Sequence, residues 1–492
     1  MLSTSKAKFI ISGNILFLLL LILYLIRNPS YTIIGLCFAS LVIIAFYLSY
    51  ININHVFGIL IFTIPLSINI EIFNSGTNLF LPSEFLLGLM VMAFFFYHLL
   101  FKEDQKKFLR HNISILIILY FIFYIINILF STMMIVSLKA VFVRFCYITV
   151  FYFFINVYIK KRITNIVNIY LLYGIPLTFV VLFTLFKHSD YLFSKDTASA
   201  VVNPFYADHT IYSACIAFII PAFLAFFLFA KEIELGLYKK ISVFIISLVL
   251  LTGLFYSYSR GAWISLVGAV VFLFILLLKI RLKYVLLALL GGILILYINK
   301  DSLIENFSGN KFDSNAKNAT LIEQTKSITN ISNDLSNAER LNRWKCAIRM
   351  FNDKPLTGFG PGTYQFQYLP YQVKSEMTRI SVTSPWNIEF GKGGTAHSEY
   401  FLLLSETGIF QFLIYIILIF SGIYFGVQNY YKAVSKKLKV ISAMVLLGFV
   451  TYAIHGLFNN FLDTDKAAFL FWSSLSIIVS LDTYFIPLEK NE

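Results

Sequence analysis

Long apolar runs alternate with short polar segments along the whole chain. Most of these runs hold about 17 or more residues with almost no charge, and a helix of that length crosses a hydrocarbon core about 30 Å thick. A membrane β-barrel would show short segments of alternating polarity instead. The pattern therefore predicts an all-α polytopic membrane protein with 12–14 transmembrane helices.

Fourteen runs qualify as candidate spans, and the weakest are the third run and the pair that Arg260 divides, so twelve spans are also possible. The runs cover approximately residues 9–26, 31–49, 54–70, 84–101, 112–130, 138–158, 164–186, 209–230, 241–257, 261–278, 284–298, 398–425, 440–460 and 467–486. No small-residue cleavage site follows the first run, so we expect a retained span and not a removed signal peptide.

Lysine and arginine cluster in short loops that follow candidate spans 4, 6, 8, 10 and 12. These loops are residues 102–110, 160–162, 231–240, 279–283 and 432–439. Because short loops rich in Lys and Arg stay in the cytoplasm, both termini are predicted to be cytoplasmic. The chain then divides into an N-terminal bundle of about eleven spans (1–298), an outer loop (299–397) and a C-terminal part of about three spans (398–492).

The outer loop changes character along its length. Residues 308–337 are rich in Asn, Ser, Thr and Lys, a composition typical of poorly ordered chain. Residues 338–355 have helical periodicity, and proline ends the pattern. The predicted apolar stripe of this helix consists of Leu341, Trp344, Ala347, Ile348 and Phe351, with Arg340, Arg343 and Arg349 off it. The stretch TGFGPG (357–362) lacks the Lys-Ser/Thr of a P-loop, so it predicts a tight turn.

Composition supports the membrane assignment and argues against other classes. The 492 residues are 59% hydrophobic and 13% charged, with a mean hydropathy of +0.79, whereas a soluble domain is about 45–50% apolar and about 25% charged. The net charge of +14 is concentrated in the basic loops, so it is a topology signal and does not indicate a nucleic-acid partner. Four cysteines without metal-ligand spacing predict small core residues, with no metal site and no disulfide; they are Cys37, Cys146, Cys215 and Cys346.

Ionisable residues at the membrane edge are costly, which makes them candidate functional residues. Arg260, in YSYSRGAWISL, lies between two spans on the outer side. It either snorkels at a helix end or offers its planar fork to a phosphate, and Gly261 would let other backbone approach closely. Arg340 and Arg343 belong to the outer-loop helix, where they either face solvent or point at lipid headgroups or a ligand.

His397 ends the outer loop and begins the twelfth span, on the same side as Arg260. A histidine with a pKa of about 6.5 is a natural proton acceptor at neutral pH. Glu399 and Glu406 accompany it and could orient it or bind a polar ligand. Glu406 lies nine residues after the histidine and points to the opposite side of the helix, so packing within the bundle is an alternative role for it.

Further candidates lie at the same membrane face. Asp208 and His209 stand at the mouth of the eighth span, where Asp208 either caps the helix or contacts substrate. Lys139 and Arg144 begin the sixth span, and Arg144 lies deep enough to require a partner. The weakest candidates flank the outer end of the thirteenth span, namely His455, Asp463 and Asp465.

These polar groups converge on the outer membrane face. Arginines, one candidate base and several carboxylates gather there, which indicates an anionic ligand. The chain shows no nucleotide-binding motif, and a reaction outside the cytoplasm needs a substrate that is already activated. Lipid-linked diphosphate sugars meet that demand, because they combine an apolar tail, a diphosphate for the arginines and a glycan in water.

Four segments of the chain resemble the O-antigen ligase/polymerase superfamily of bacterial inner-membrane glycosyltransferases. They are SRGAWISLVGAVV (259–271), ERLNRWKCAIRMFNDKPLTGFGPGTY (339–364), AHSEYFLLLSETG (396–408) and, as in a subset of the family, FYADHTIYSA (205–214). Ser398 stands where the family usually has Asn. The resemblance implies a GT-C-like helical bundle with a periplasmic loop. It also implies glycan transfer from undecaprenyl diphosphate to an acceptor, without metal, nucleotide or other cofactor.

The resemblance further implies roles for individual residues. Arg260 and Arg340 would bind the diphosphate, and His397 would deprotonate the acceptor hydroxyl. From their positions in the sequence, Arg343 is a further candidate for the diphosphate and Glu399 is the candidate helper of His397. The acceptor would be lipid A–core in a ligase, another glycan in a polymerase, or protein Ser/Thr in an O-oligosaccharyltransferase, and the sequence leaves these open. A transporter of the lipid-linked sugar is the alternative from another class, although it would need ionisable groups through the membrane.

Overall fold

The computed structural model describes residues 53–72, 77–101, 104–298, 335–378, 380–382 and 394–489, together with Tyr47. The first two predicted spans, Cys37 and the segment 308–337 lie outside the described residues, apart from residue 47 and residues 335–337.

Helices make up most of the described chain. The α-helices are α1 (Ile53–Thr63), α2 (Ser83–Phe101), α3 (Lys106–Leu109), α4 (Asn112–Ile126), α5 (Met134–Ile148), α6 (Ile155–Lys160), α7 (Thr164–Ser189), α8 (Ala198–Val201), α9 (His209–Leu228), α10 (Leu237–Tyr256), α11 (Arg260–Leu277), α12 (Leu282–Ile298), α13 (Leu335–Asp353), α14 (Tyr364–Gln367), α15 (Glu399–Lys432), α16 (Lys436–His455), α17 (Asp465–Ser480) and α18 (Ile486–Glu489). Short 3-10 turns lie at Asn127–Phe130, Lys195–Thr197, Leu369–Tyr371 and Lys374–Glu376, and π-helical turns at Thr149–Phe154 and Leu481–Phe485.

Ten helices in the described part of the chain, counted with their extensions, are long and apolar enough to cross a membrane. They begin with α2, α4, α5, α7, α9, α10, α11, α15, α16 and α17. Each coincides with a predicted span, and α12, with 17 residues, lies where the eleventh span was predicted. The all-α polytopic fold is therefore confirmed, and the apolar run around Arg260 does form two separate helices.

The third predicted span, 54–70, is wrong. α1 ends after 11 residues, because Pro65 lacks a backbone N–H and its ring clashes with the preceding helical turn. The chain then forms an antiparallel hairpin of β1 (Ile68–Ile72) and β2 (Thr77–Leu81). Lys466, at the start of α17, is 1% exposed and donates Nζ to the carbonyls of Ile64 (2.7 Å) and Ser67 (3.0 Å). The end of α1 is thus held by a buried cation that hydropathy does not reveal.

α16 lies at the centre of the bundle, where it contacts α9, α11 and α15. In the apolar stretches of α9, α16 and α17, 78% of the residues are buried within the protein, whereas in those of α10 and α11 the share is 28%. Gly448 allows the close approach of α16 to α9, since an added Cβ would lie 2.9 Å from the carbonyl oxygen of Phe218. Small residues at such crossings are typical of helices that pack in membranes.

The long loop (residues 299–397) has a core of its own where it is described. α13 contacts α15, and the residues buried together there are Cys346, Ala347, Met350, Phe359, Tyr364, Tyr368, Ala396 and Leu402. The other described cysteines, Cys146 and Cys215, are also buried and free, as predicted for small core residues. The loop therefore packs on the bundle through a defined apolar contact.

α15 is broken within its apolar run. Gly408 has φ 75° and ψ −172°, a conformation that glycine adopts at little cost. The break frees the carbonyls of Ser405 and Glu406 from helical hydrogen bonding, and they accept the N–H groups of Phe359 (3.1 Å) and Gly360 (2.8 Å). The predicted tight turn 357–362 is confirmed and is bonded to this break.

Candidate active site

A cavity of about 420 Å³ lies at the end of the bundle that carries the long loop. Its lining residues come from α9, α11, α13 and three connections, and they are Lys195, His209, Thr210, Tyr258, Ser259, Arg260, Gly261, Ile264, Ser336, Asn337, Arg340, Leu341, Trp344 and Phe458. Of these described lining residues, two are arginines, one is lysine, one is histidine, and none is Asp or Glu. The cavity is therefore chemically suited to an anion.

Arg260 reaches the cavity because α11 begins there. Tyr258 precedes it with a positive φ of 54° and donates its hydroxyl to the carbonyl oxygen of Phe193 (2.6 Å). Phe193 belongs to the connection between α7 and α9, which also carries Lys195. The turn that presents Arg260 and the segment that presents Lys195 are thus tied to each other.

Arg340 reaches the same cavity from the long loop. Its Nε donates to the carbonyl oxygen of Phe458 (3.3 Å), and its Nη1 donates to Ser336 Oγ (3.1 Å) and Asn337 Oδ1 (3.3 Å). The first contact lies on the connection between α16 and α17 and the other two on α13. Arg260 and Arg340, 80 residues apart in sequence, therefore converge because the long loop packs back on the bundle.

Arg343 is placed differently from the prediction. Its side chain is 4% exposed and pairs through Nε with Glu339 Oε1 at 2.8 Å, and its guanidinium lies 4.2 Å from the ring centroid of Tyr368. It does not line the cavity. The predicted apolar stripe of α13 is correspondingly wrong at Ile348, which is 40% exposed. The ion pair with Glu339 and the ring of Tyr368 hold Arg343 inside the loop, away from the cavity.

His397 adjoins the cavity wall without being one of its lining residues. Its backbone has φ 50°, and its carbonyl oxygen accepts the indole N–H of Trp344 (3.2 Å), which does line the cavity. Burial, together with the positive charges of Arg340 and Arg343, lowers the pKa of His397 to about 4, while Asp208 acts in the opposite direction. The imidazole is therefore neutral at physiological pH, with a lone pair able to accept a proton.

Glu399 makes no hydrogen bond to His397 in the described structure. Its carboxylate is 2% exposed, and Oε1 accepts the hydroxyl of Tyr452 (2.7 Å) and the backbone N–H groups of Phe461 (2.6 Å) and Leu462 (2.8 Å). The predicted helper of the base instead holds the connection between α16 and α17. Glu399 was predicted to orient His397 only because it lies two residues after it in the sequence.

Glu406 has a role that the sequence left open. Its two carboxylate oxygens accept the N–H groups of Gly362 (2.9 Å) and Tyr364 (2.8 Å). Gly358 has φ 64°, and an added Cβ there would lie 2.2 Å from the carbonyl carbon of Glu406. Glu406 therefore anchors the glycine turn of the long loop to the break in α15 at Gly408.

Asp208 caps α9, one of its two predicted alternatives. Its side chain accepts the N–H of Thr210, and Oδ1 also lies 3.3 Å from His209 Nδ1. The same His209 nitrogen contacts Ser199 Oγ. The cap thus orients His209, which lines the cavity, whereas Asp208 itself does not.

Arg144 finds the partner that its depth requires. Its Nη2 lies 2.7 Å from Asp463 Oδ1, with side-chain exposures of 5% and 56%, and its guanidinium carbon lies 5.6 Å from the ring centroid of Tyr124. Lys139, predicted near it, is exposed. Neither Arg144 nor Asp463 lines the cavity.

The remaining candidates are used in packing. His455 Nε2 lies 3.1 Å from Asn459 Nδ2, and its Cε1 would lie 3.5 Å from a Cβ added at Gly261. That distance is ordinary contact, so close approach does not require glycine at position 261. Asp465 is hydrogen-bonded to Ser83, which joins the starts of α17 and α2.

Sequence reasoning missed Lys195 and Phe458 as cavity residues. Lys195 lies in a connection with two positive-φ residues, Leu192 and Phe193, and a lone lysine there gives no periodic signal. Phe458 belongs to the short connection after α16. Trp344 was assigned only to an apolar stripe, although its indole N–H joins the cavity wall to His397.

The comparison with known proteins agrees with this arrangement. Residues 243–416 match the family model described as O-Antigen ligase. The matched region runs from α10 through the first part of α15, so it contains Arg260, Arg340, His397 and Glu406 but not Lys195 or His209. No curated protein matches the chain. Residues 243–416 of this multi-pass membrane protein are therefore similar to the O-antigen ligase family.

Proposed function

We propose that this protein is a glycosyltransferase that moves a glycan from undecaprenyl diphosphate to an acceptor hydroxyl at the periplasmic face of the bacterial inner membrane, as an O-antigen ligase does. The observation that carries the proposal is the convergence of Arg260 and Arg340 on one cavity, together with Lys195 and His209. The family match supports the reaction class. The identities of the donor and the acceptor, the assignment to the inner membrane and the periplasmic position of the cavity all belong to this proposal.

The cavity suits a diphosphate in size and in charge. Its volume of about 420 Å³ lies within the range of roughly 300–1,000 Å³ that is typical of small-ligand sites. Guanidinium groups bind phosphate oxygens through charge-assisted hydrogen bonds. Ile264 and Phe458 provide apolar wall next to these cations, as expected for a ligand whose diphosphate is attached to a lipid.

The proposed reaction is a displacement at the anomeric carbon. The acceptor oxygen forms a bond to that carbon while the bond from the carbon to the diphosphate oxygen breaks, and the electron pair leaves with the diphosphate. Arg260, Arg340 and Lys195 stabilise the charge that develops on this leaving group. Such preorganised stabilisation is usually the largest catalytic contribution, and removing one donor typically costs about 10²–10³-fold in kcat.

The acceptor proton passes to His397 in this scheme. The low pKa of His397, about 4, keeps the imidazole free to accept a proton, and an anionic diphosphate nearby would raise this pKa by opposing the charges of Arg340 and Arg343. General base catalysis is typically worth about 10²–10⁴-fold. No metal or nucleotide has a role in the proposed reaction.

The acceptor is proposed as lipid A–core, which would make the protein a ligase. A polymerase or a protein O-oligosaccharyltransferase would use the same donor cavity with another acceptor hydroxyl. A strain without the gene distinguishes them. Loss of every attached repeat indicates a ligase, retention of core with one repeat indicates a polymerase, and loss of modified proteins alone indicates protein glycosylation.

The enzymatic proposal is tested by single-turnover transfer with purified protein in lipid nanodiscs, an undecaprenyl-diphosphate-linked glycan and candidate acceptors. Arg260→Ala and Arg340→Ala should each lower the transfer rate about 10²–10³-fold, and His397→Ala should lower it about 10²–10⁴-fold. Lys195→Ala should weaken donor binding. Matched controls are Arg281→Ala and His98→Ala, which change exposed residues outside the cavity.

Full transfer activity of the Arg260→Ala and Arg340→Ala proteins would contradict the diphosphate assignment. Unchanged turnover of His397→Ala would contradict the role of His397 as base, without contradicting the proposed donor site. Movement of the lipid-linked glycan across the membrane without transfer to any acceptor would favour the transporter.

A further inference from the structure

Two long helices begin at the wall of the cavity. α9 begins at His209 and α11 begins at Arg260, the two helices contact each other, and the first residues of both line the cavity. The N-terminus of an α-helix carries a partial positive charge and backbone N–H groups without partners inside the helix, which favours an anion there. The cavity therefore receives positive potential from two helix ends in addition to its charged side chains.

The starts of the two helices differ in their caps. Asp208 precedes α9 and accepts the N–H of Thr210 with its carboxylate. Ser259 occupies the same position before α11, but in this described region its side chain makes no capping hydrogen bond. The backbone of Ser259 is held independently, because its N–H donates to Ser257 Oγ (3.3 Å) and its carbonyl oxygen accepts the N–H of Trp263 (3.3 Å). The Ser259 hydroxyl is therefore not used to form the helix.

Two hydroxyl groups at these helix starts are buried and have no partner. Ser259 is 3% exposed and Thr210 is 8% exposed. Neither hydroxyl makes a hydrogen bond in the part of the chain that the structure describes. Buried hydroxyls are usually hydrogen-bonded, and burial without a partner is costly. Because both residues line the cavity, a ligand in the cavity has access to them and can supply the missing bonds.

We infer that the hydroxyls of Ser259 and Thr210 donate hydrogen bonds to phosphate oxygens of the donor diphosphate, at the N-termini of α11 and α9. Each hydroxyl has one O–H to donate, and ionised phosphate oxygens accept. A sugar hydroxyl fits this place less well, because two helix ends and the cations of the cavity wall favour an anion. The inference rests on the proposed function, since it takes the bound anion to be the diphosphate of the donor.

Ser259→Ala and Thr210→Val are the central variants. Each removes one hydroxyl, and valine keeps the branched shape of threonine. Because neither hydroxyl bonds to a described residue, both variants should fold and should melt at the wild-type temperature. Isothermal titration calorimetry with protein in nanodiscs and inorganic pyrophosphate as the probe should show about tenfold weaker binding in each variant, since hydrogen bonds to a charged group are the stronger ones.

Ser435→Ala and Thr451→Val are the matched controls. Ser435 caps α16 by accepting the N–H of Leu438 (3.2 Å), and Thr451 donates its hydroxyl to the carbonyl oxygen of Gly448 (2.6 Å). Both controls lie outside the residues that line the cavity. Ser435→Ala should lower the melting temperature, because a helix cap is lost, and neither control should change the affinity for pyrophosphate.

Transfer kinetics separate this inference from the proposed reaction. In Ser259→Ala the KM for the undecaprenyl-diphosphate-linked donor should rise about tenfold, and the KM for the acceptor should not change. Pyrophosphate binding that depends on Ser259 and Thr210, without transfer to any acceptor, would leave the diphosphate site in place while the proposed reaction fails. Transfer that depends on Arg260 and His397 but on neither hydroxyl would leave the reaction in place while this inference fails.

Three results would overturn the inference. The first is wild-type affinity for pyrophosphate in Ser259→Ala or in Thr210→Val, which would remove that hydroxyl from the site. The second is a melting temperature of Ser259→Ala lowered as far as that of Ser435→Ala, which would identify an ordinary helix cap. The third is weaker binding of methyl glucoside in the two cavity variants with unchanged binding of pyrophosphate, which would replace phosphate recognition by sugar recognition.

Discussion

Glu406→Gln tests how the long loop is held to the membrane bundle. Both oxygens of the Glu406 side chain accept backbone N–H groups, from Gly362 at 2.9 Å and Tyr364 at 2.8 Å, and the residue is 4% exposed. Glutamine keeps one acceptor and presents an NH₂ group to the other backbone N–H. One buried backbone donor is then left without a partner.

The size of the effect follows from these contacts. A hydrogen bond to a charged group contributes roughly 1.5–3 kcal/mol, and a buried donor left unpaired costs roughly 1–3 kcal/mol. A net loss of about 3 kcal/mol would increase the population of undocked loop about 100-fold. Because Arg340 lies on the same loop, transfer should fall as well, although no residue of the cavity is changed.

Amide hydrogen exchange is the direct measurement. Peptides that contain residues 359–368 should exchange about 100-fold faster in Glu406→Gln than in the wild-type protein, whereas peptides from α9 and α16 should be unaffected. Glu234→Gln, whose side chain is 70% exposed, is the control for the loss of a carboxylate. Wild-type exchange rates in the 359–368 region would refute the anchoring role of Glu406, whatever the activity of the variant.

Three further predictions concern the base, the glycine turn and the topology. The value of kcat/KM for transfer, which reports the free enzyme, should be retained at neutral pH and fall as the pH drops through the pKa of His397, about 4. In Arg340→Ala the acidic limb of this profile should move to higher pH, because a positive charge that lowers the pKa is gone. An unmoved limb would show that the profile does not report His397. Gly358→Ala should lower the melting temperature by far more than Gly88→Ala, since the added Cβ would lie 2.2 Å from backbone at position 358 and would meet nothing within 4 Å at position 88; equal melting temperatures would contradict the close contact with Glu406. A membrane-impermeant maleimide should label Lys374→Cys but not Lys283→Cys from the periplasm, and the reverse result would invert the proposed orientation.

Much of the membrane fold could be predicted because hydropathy is a local property. Every described helix long enough to span coincides with a run of apolar residues, since backbone groups in lipid must bond within their own segment. The exception at residues 54–70 has a local cause in Pro65 and a distant one in Lys466. Only the first of these can be read from the sequence near the helix.

The candidate site could be predicted in part. Arg260 and Arg340 were selected because each is a cation at the membrane edge, and His397 because it begins a span beside two glutamates. The positions of Arg343 and Glu399 could not be predicted in the same way, because their partners are set by packing. Glu339 and Tyr368 hold Arg343 within the loop. The carboxylate of Glu399 accepts backbone N–H groups of the connection after α16.

Apolar runs, basic loops and short motifs in the sequence were sufficient to predict a helical membrane protein and to select the cations and the histidine of its candidate site. The cavity itself exists only in the tertiary structure. Its wall joins the starts of α9 and α11, the loop helix α13 and the connection after α16, which are far apart in the chain. Their meeting depends on the break at Gly408 and on Glu406, because these groups hold the long loop against the bundle through hydrogen bonds that no local pattern encodes.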